Sequence, residues 1–102
     1  MTQQFRTKVY LAGPMSGLPH LNFPAFDAAA KNLRGKGYVV FNPTEIEDNM
    51  SKNIKALAFE EITWICTEAE AVAMLPGWEN SKGARAEHAI AVWLGLKIMY
   101  LT

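Results

Sequence analysis

Four short apolar runs constrain this chain more than any other feature: KVYLA at 8–12, YVVFNP at 38–43, AVAML at 71–75 and KIMYL at 97–101. Each is apolar nearly throughout, not at every second residue, which is the pattern of strands buried on both faces of a parallel sheet. Breakers end two of them, Asn-Pro after the second and Pro-Gly-Trp after the third. The intervening segments have helical periodicity. FPAFDAAAKNLRGKG at 23–37 places Phe26, Ala29, Ala30 and Leu33 on one face, tolerates Pro24 in its first turn and meets a stop at Gly35 and Gly37. From about Lys52 to Thr67, Ile54, Leu57, Ala58, Ile62, Ile65 and Cys66 share a stripe, with Lys55, Glu60 and possibly Glu61 on the other face. That stripe makes Cys66 a buried structural thiol. GARAEHAIAVWLG at 83–95 is the third helix, and Trp64 and Trp93, both on helices, read as core.

Strand and helix therefore alternate along residues 1–102, a length suited to one domain. Right-handed crossovers turn that alternation into an α/β fold: a truncated flavodoxin-like, three-layer parallel sheet of order 2-1-3-4 with helices on both faces. In such sheets ligands bind beyond the carboxyl ends of the strands, where neighbouring connections leave in opposite directions. Here that point lies between the first and third strands. GPMSGLPH and PGWENSKG, the segments that follow them, are brought together as the two walls of a cleft.

The bulk charge excludes several function classes. Ten basic and ten acidic side chains cancel, leaving no overall field to attract polymeric nucleic acid or an anionic membrane. No apolar run approaches the roughly 20 residues of a membrane span. MTQQFRTKVYLAG has no signal-peptide pattern, and a single cysteine cannot close an internal disulfide, so a reducing cytoplasm is the expected location. Half the chain is hydrophobic and three tryptophans are present, which favours a homodimer or higher homo-oligomer.

The cleft segments match neither G-x-G-x-x-G nor G-x-x-x-x-G-K-[ST], so a dinucleotide or P-loop site is not expected. Ser81, Lys82 and Gly83 stand where a helix begins: Ser81 is a candidate N-cap, and the free N–H groups there suit a phosphate or carboxylate. His20 and His88 have no metal-ligand spacing, and His88 points about 100° away from Glu87 on the helix, so no metal and no cofactor are expected. Glu60, Glu61, Glu70 and Glu87 are the acids placed around the cleft, and paired carboxyls are what cleavage of a glycosidic bond requires. Tyr10 sits near the carboxyl end of the first strand. Taken alone it reads as core.

VYLAGPMSG at 9–17 and LPGWENSKGARAEHAIAVWLG at 75–95 together resemble the nucleoside 2-deoxyribosyltransferase superfamily, in particular its small members of phage and prophage type. The most specific part is the S-x-G-x-x-x-E spacing of Ser81, Gly83 and Glu87. The resemblance implies a flavodoxin-like fold and cleavage or exchange of the N-glycosidic bond of 2-deoxynucleosides or their 5-monophosphates. It makes Glu87 the nucleophile and Tyr10 the residue that orients it. It makes Ser81 a phosphate contact, where the transferases carry an aspartate for the free 5-hydroxyl. Gly13, Ser16 and Gly17 match the loop near sugar and phosphate, Gly83 the phosphate turn, and Trp78 offers a ring to stack on a base. The family commonly places an aspartate on the second helix to serve the leaving base; Glu61 is the nearest match here, with Glu60 a competitor. A protonated Glu61 beside an ionised Glu87 is the expected pair. Two other readings stay open: a nucleotide-binding or sensing module without turnover, and an interaction protein presenting Trp78 at a dimer surface.

Overall fold

In the computed structural model, which describes residues 6–47 and 53–102, strands and helices follow one another as the sequence pattern predicts. The order is β1 (Lys8–Ala12), α1 (Phe23–Gly35), β2 (Val39–Phe41), α2 (Ile54–Thr67), β3 (Ala71–Met74), α3 (Lys82–Trp93) and β4 (Lys97–Tyr100). The expected start of the second helix at Lys52 lies outside the described residues. All strand pairs are parallel, in the order β2-β1-β3-β4. Tyr10 stands beside Phe41 on one side and Val72 on the other, so β1 is the axis of the sheet.

Alternation along the strands builds two cores. Val9, Leu11, Val40, Ala71 and Ala73 face α1, which contributes Phe26, Ala30 and Leu33. Tyr10, Ala12, Val72 and Met74 face the other way, towards Ile65 of α2 and Ala84 and Ala91 of α3. Full burial of a ring such as Phe26 contributes about 1.5–3 kcal/mol. The residues of β1 and β3 are buried on both faces apart from Lys8 at the entry, as the continuous apolar runs require.

Two expectations on burial are corrected. Cys66 is exposed. It follows the buried Ile65 by one residue, and 100° of rotation carries it off the inward stripe. Trp93, at the last turn of α3, is 84 % exposed and not core. Trp64, by contrast, packs against the second core. The acidic helix C-cap and the segment after it place Glu70 at the entry to β3, where its carboxylate accepts the Lys8 backbone N–H at 2.9 Å. Glu70 thus lies at the amino edge of the sheet, opposite the cleft in which the sequence reading had set it.

Candidate functional site

The carboxyl edge between β1 and β3 opens into a pocket of about 400 Å³. Its floor is the end of β1, its near wall the turn through Gly13, Met15 and Ser16, and its far wall the start of α3 from Ser81 to Ala84. Pro43 and Phe26 close one side, and α2 covers another with Ile54, Leu57, Ala58, Glu61 and Ile62. Gly13 makes the close approach of the two walls possible. A Cβ there would stand 2.7 Å from Leu75 Cβ, nearer than any unstrained contact.

Glu87, on the second turn of α3, reaches this pocket from the inside. It is only 8 % exposed, one of two buried polar residues among those described, and the phenol of Tyr10 donates a 2.7 Å hydrogen bond to its Oε2. Tyr10 can do so because it is wholly buried beneath the helices, next to the carboxyl end of the central strand. Glu61 completes the group. Sequence reading placed it possibly on the outer face of its helix, but it turns inward and shares a hydrogen bond with Glu87. The reason is visible in the spacing: Ile54, Ala58, Glu61 and Ile65 follow one another at intervals of four, three and four, which is one helical face.

Burial governs the electrostatics of this trio. Desolvation pushes the Glu87 carboxyl well above the usual carboxylate range, the neighbouring charge of Glu61 pushes it the same way, and the Tyr10 hydroxyl opposes both. Burial also raises Glu61, although its hydrogen bond with Glu87 works against that rise and the charge of Glu60 adds to it. Tyr10 is held well above its ordinary value by burial first, then by the two carboxylates, and stays a donor. Two close acids that both resist ionisation hold one proton between them. Burial acts more strongly on Glu87 than on Glu61, so the surroundings disfavour the ionised Glu87 of the expected pair. A half-buried Glu61 is better solvated than Glu87 and is the easier of the two to charge.

Ser81 is the N-cap of α3, its Oγ accepting the Ala84 N–H at 3.2 Å. The hydroxyl proton stays available to donate into the pocket, and the first N–H groups of the helix, at Lys82 and Gly83, have no partner within it. Ser16, Ser81 and Gly83 line the pocket with Lys82, which sequence reading had placed at the helix start without a role. Gly17 does not line it: with φ of +82° it makes the turn beyond Ser16. Trp78 is also outside. Its ring stacks on His88 at 4.3 Å and lies near Tyr100, whose hydroxyl is 2.8 Å from His88 Nε2. Gly77, in the left-handed conformation, starts the 3-10 turn that turns Trp78 towards His88, on a part of α3 away from the pocket wall. The apolar wall of Pro43, Ile54, Leu57 and Ile62 was not singled out from sequence; its apolar periodicity was read as core alone.

Among the described residues no helix is long and apolar enough to cross a membrane. No three side chains of His, Cys, Asp or Glu gather as a metal site among them. A solved structure of a 2-desoxiribosyltransferase from Leishmania mexicana is similar in fold, with a TM-score of 0.72 at 21 % identity over 93 % of this chain. This chain spans 63 % of that one, and the likeness is one of fold. Among curated proteins there is no match. A family model described as "Domain of unknown function (DUF4406)" matches residues 7–100, and since this is nearly the whole chain, the protein belongs to that family.

Proposed function

We propose that this protein cleaves, or transfers, the N-glycosidic bond of 2-deoxynucleoside 5-monophosphates through a covalent glycosyl-Glu87 intermediate. The observation that carries the reading is the buried Glu87, held by the Tyr10 hydroxyl and paired with the half-buried Glu61, inside a pocket at the switch point of the sheet. Burying two acids side by side is costly, and such groups concentrate at sites that use them. The similar fold of a 2-desoxiribosyltransferase agrees with the chemistry.

The steps follow from the proton inventory. Glu87 hands the shared proton to Glu61 along their hydrogen bond, and the Tyr10 hydroxyl stabilises the carboxylate that results. Glu87 then attacks C1 of the deoxyribose as the bond from C1 to the base nitrogen breaks, and Glu61 gives its proton to the departing base. Glu61, now a carboxylate, takes a proton from water or from a second base, which attacks C1 and releases Glu87. Retaining pairs work with carboxyls about 5–5.5 Å apart, so the sugar carbon sits between Glu87 and Glu61 when the substrate is bound. Ser81, Gly83 and Ser16 hold the phosphate: a hydroxyl and helix N–H groups attract a dianion that a carboxylate would repel. The apolar wall of α2 faces the base. No cofactor enters these steps, and the acting unit is the whole chain 1–102 in the cytoplasm, assembled as a homodimer or higher homo-oligomer through apolar surface such as Phe59 and Trp93, 73 % and 84 % exposed.

The test is incubation with a panel of 2-deoxynucleosides and their monophosphates, following free base by chromatography. Release from the monophosphates that disappears in Glu87→Ala, with the fold intact by circular dichroism, is the expected result. Normal turnover by Glu87→Ala removes the nucleophile. The burial of Glu87 favours a second reading, a nucleotide-binding or sensing module, because it pushes the carboxyl towards the neutral form that cannot attack. Binding of monophosphates without any release of base would select it.

A further inference from the structure

Glu87 has two partners, and both are tied to α2. Glu61 is carried by that helix directly. Tyr10 is tied to it through a column of rings: its ring stacks on Phe41 with centroids 5.3 Å apart and planes at 25°, and Phe41 meets Trp64 of α2 at 5.1 Å and 43°. Each step of the column has a cause in the sequence. Tyr10 and Phe41 are registered neighbours on the parallel strands β1 and β2, so their side chains leave the sheet on the same face. The crossover from β2 to β3 lays α2 over that face, and Trp64, three residues after Glu61, is about one turn deeper along the helix. Offset rings at these distances attract one another beyond their burial.

We infer that Phe41 and Trp64 are positioning residues: they fix the Tyr10 ring so that its hydroxyl stays on Glu87 Oε2, and they tie that contact to the helix that presents Glu61. The inference rests on the reading of Glu87 and Glu61 as the reacting pair. A hydroxyl at the end of a tyrosine ring moves with any tilt of the ring, and catalytic geometry tolerates about 0.5 Å. The second core packs around that ring, and among the described residues Phe41 is the ring that stacks on it, so the column adds an oriented contact against the tilt. Burial first, then the carboxyl of Glu61 with the charge of Glu60 behind it, and the opposing hydroxyl of Tyr10 set how readily Glu87 ionises. Moving α2 bears on each of them, since it covers the pocket, carries both acids and meets the ring column. One helix thereby controls both the acid that receives the proton and the donor that steadies the carboxylate left behind.

The test uses the ligand-free protein, with glutamate side-chain carboxyls labelled with carbon-13 and titrated by NMR. Trp64→Leu and Phe41→Leu are compared with Trp64→Phe, which keeps an aromatic face, and with Leu33→Val, which loosens the opposite core. The expected result is a Glu87 titration displaced to higher pH in both leucine variants, restored towards wild type in Trp64→Phe and unmoved in Leu33→Val. If turnover is present, kcat falls about tenfold in the leucine variants with KM little changed, the loss of roughly one aromatic contact at the transition state. A wild-type Glu87 titration in leucine variants that merely melt earlier overturns the inference. Should a leucine variant fail to fold, Trp64→Phe decides by its own displacement: a small upward one supports the column, and none refutes it when Phe41→Leu also shows none. A displaced titration in a protein that never releases base keeps the column and refutes the function; base release with an undisplaced titration does the reverse.

Discussion

Removal of one atom, the phenol oxygen of Tyr10, isolates the balance on which the proposed chemistry depends. In Tyr10→Phe the ring keeps its place against Phe41, and what disappears is the 2.7 Å hydrogen bond to Glu87 Oε2. Burial and the charge of Glu61 already push Glu87 towards its neutral form, and the Tyr10 hydroxyl opposes them. Its loss leaves that push unopposed, so the ionised nucleophile becomes rarer at any given pH. A hydrogen bond to a charged group contributes about 1.5–3 kcal/mol, whereas one between neutral partners contributes about 1 kcal/mol. The fold, whose burial of Glu87 favours the neutral carboxyl, is therefore expected to lose the smaller amount, a fall in Tm of roughly 4–8 °C. The reaction, which needs the carboxylate, loses the larger one. That corresponds to a kcat roughly ten to a hundred times lower. The assay is a pH–rate profile of base release from 2-deoxynucleoside 5-monophosphates, paired with thermal melting followed by circular dichroism. The acidic limb of the profile moves to higher pH in the variant. An unmoved acidic limb with an unchanged kcat refutes the reasoning, because Tyr10 would then be a core ring whose hydroxyl happens to be satisfied.

Glu87→Gln keeps an acceptor for Tyr10 and removes the charge. A carboxyl raised above its unfolded value of 4.5 loses stability as pH climbs through that value, and the loss is complete above the folded midpoint. The variant therefore melts higher than wild type at neutral pH, and the advantage vanishes in melts recorded below pH 4.5. Gly13→Ala drives a Cβ to 2.7 Å from Leu75 Cβ, a backbone-proximal atom that cannot swing aside. Overpacking of this kind costs about 1–3 kcal/mol, read as a lower denaturation midpoint in urea; an unchanged midpoint would show that the β1 turn yields freely. Ser81→Ala removes the cap of α3 and costs about 1 kcal/mol. Ser81→Asp keeps a capping oxygen but sets a negative charge beside the phosphate, so the ratio of kcat/KM for monophosphate over nucleoside is expected to fall at least tenfold. Equal losses on both substrates would place the phosphate elsewhere.

The layout of the fold was legible because it depends on a coarse signal. KVYLA and AVAML are apolar at successive positions, and only a strand covered on both faces needs that. Once the order of the sheet follows, so does the place of the pocket, and Gly13, Ser16, Ser81, Gly83 and Glu87 fall around it without any knowledge of side-chain contacts. Finer questions of facing were not legible in the same way. Helix α2 is apolar on most of its circumference, so periodicity gives no unique inward face; Cys66 was assigned inside and is outside, while Glu61 was left at the margin and is inside. Trp78 misled for a different reason. A ring next to a pocket in sequence is not beside it in space when Gly77 takes the left-handed conformation, and His88 was the partner that fills its face. Protonation was the least legible of all, since it depends on the difference in solvation between two acids that sequence treats alike.

The Tyr10–Glu87 hydrogen bond joins residues 77 positions apart. Its partners belong to β1 and to α3, so the loop it closes runs through most of the fold. Closing such a loop carries an entropic cost that local contacts do not share, and sheets built from distant strands fold slowly for that reason. A chain still emerging from the ribosome, or cut anywhere between β1 and α3, has the tyrosine without its acid. The Tyr10–Glu87 contact is thus a property of the assembled topology, absent from any fragment that lacks β1 or α3.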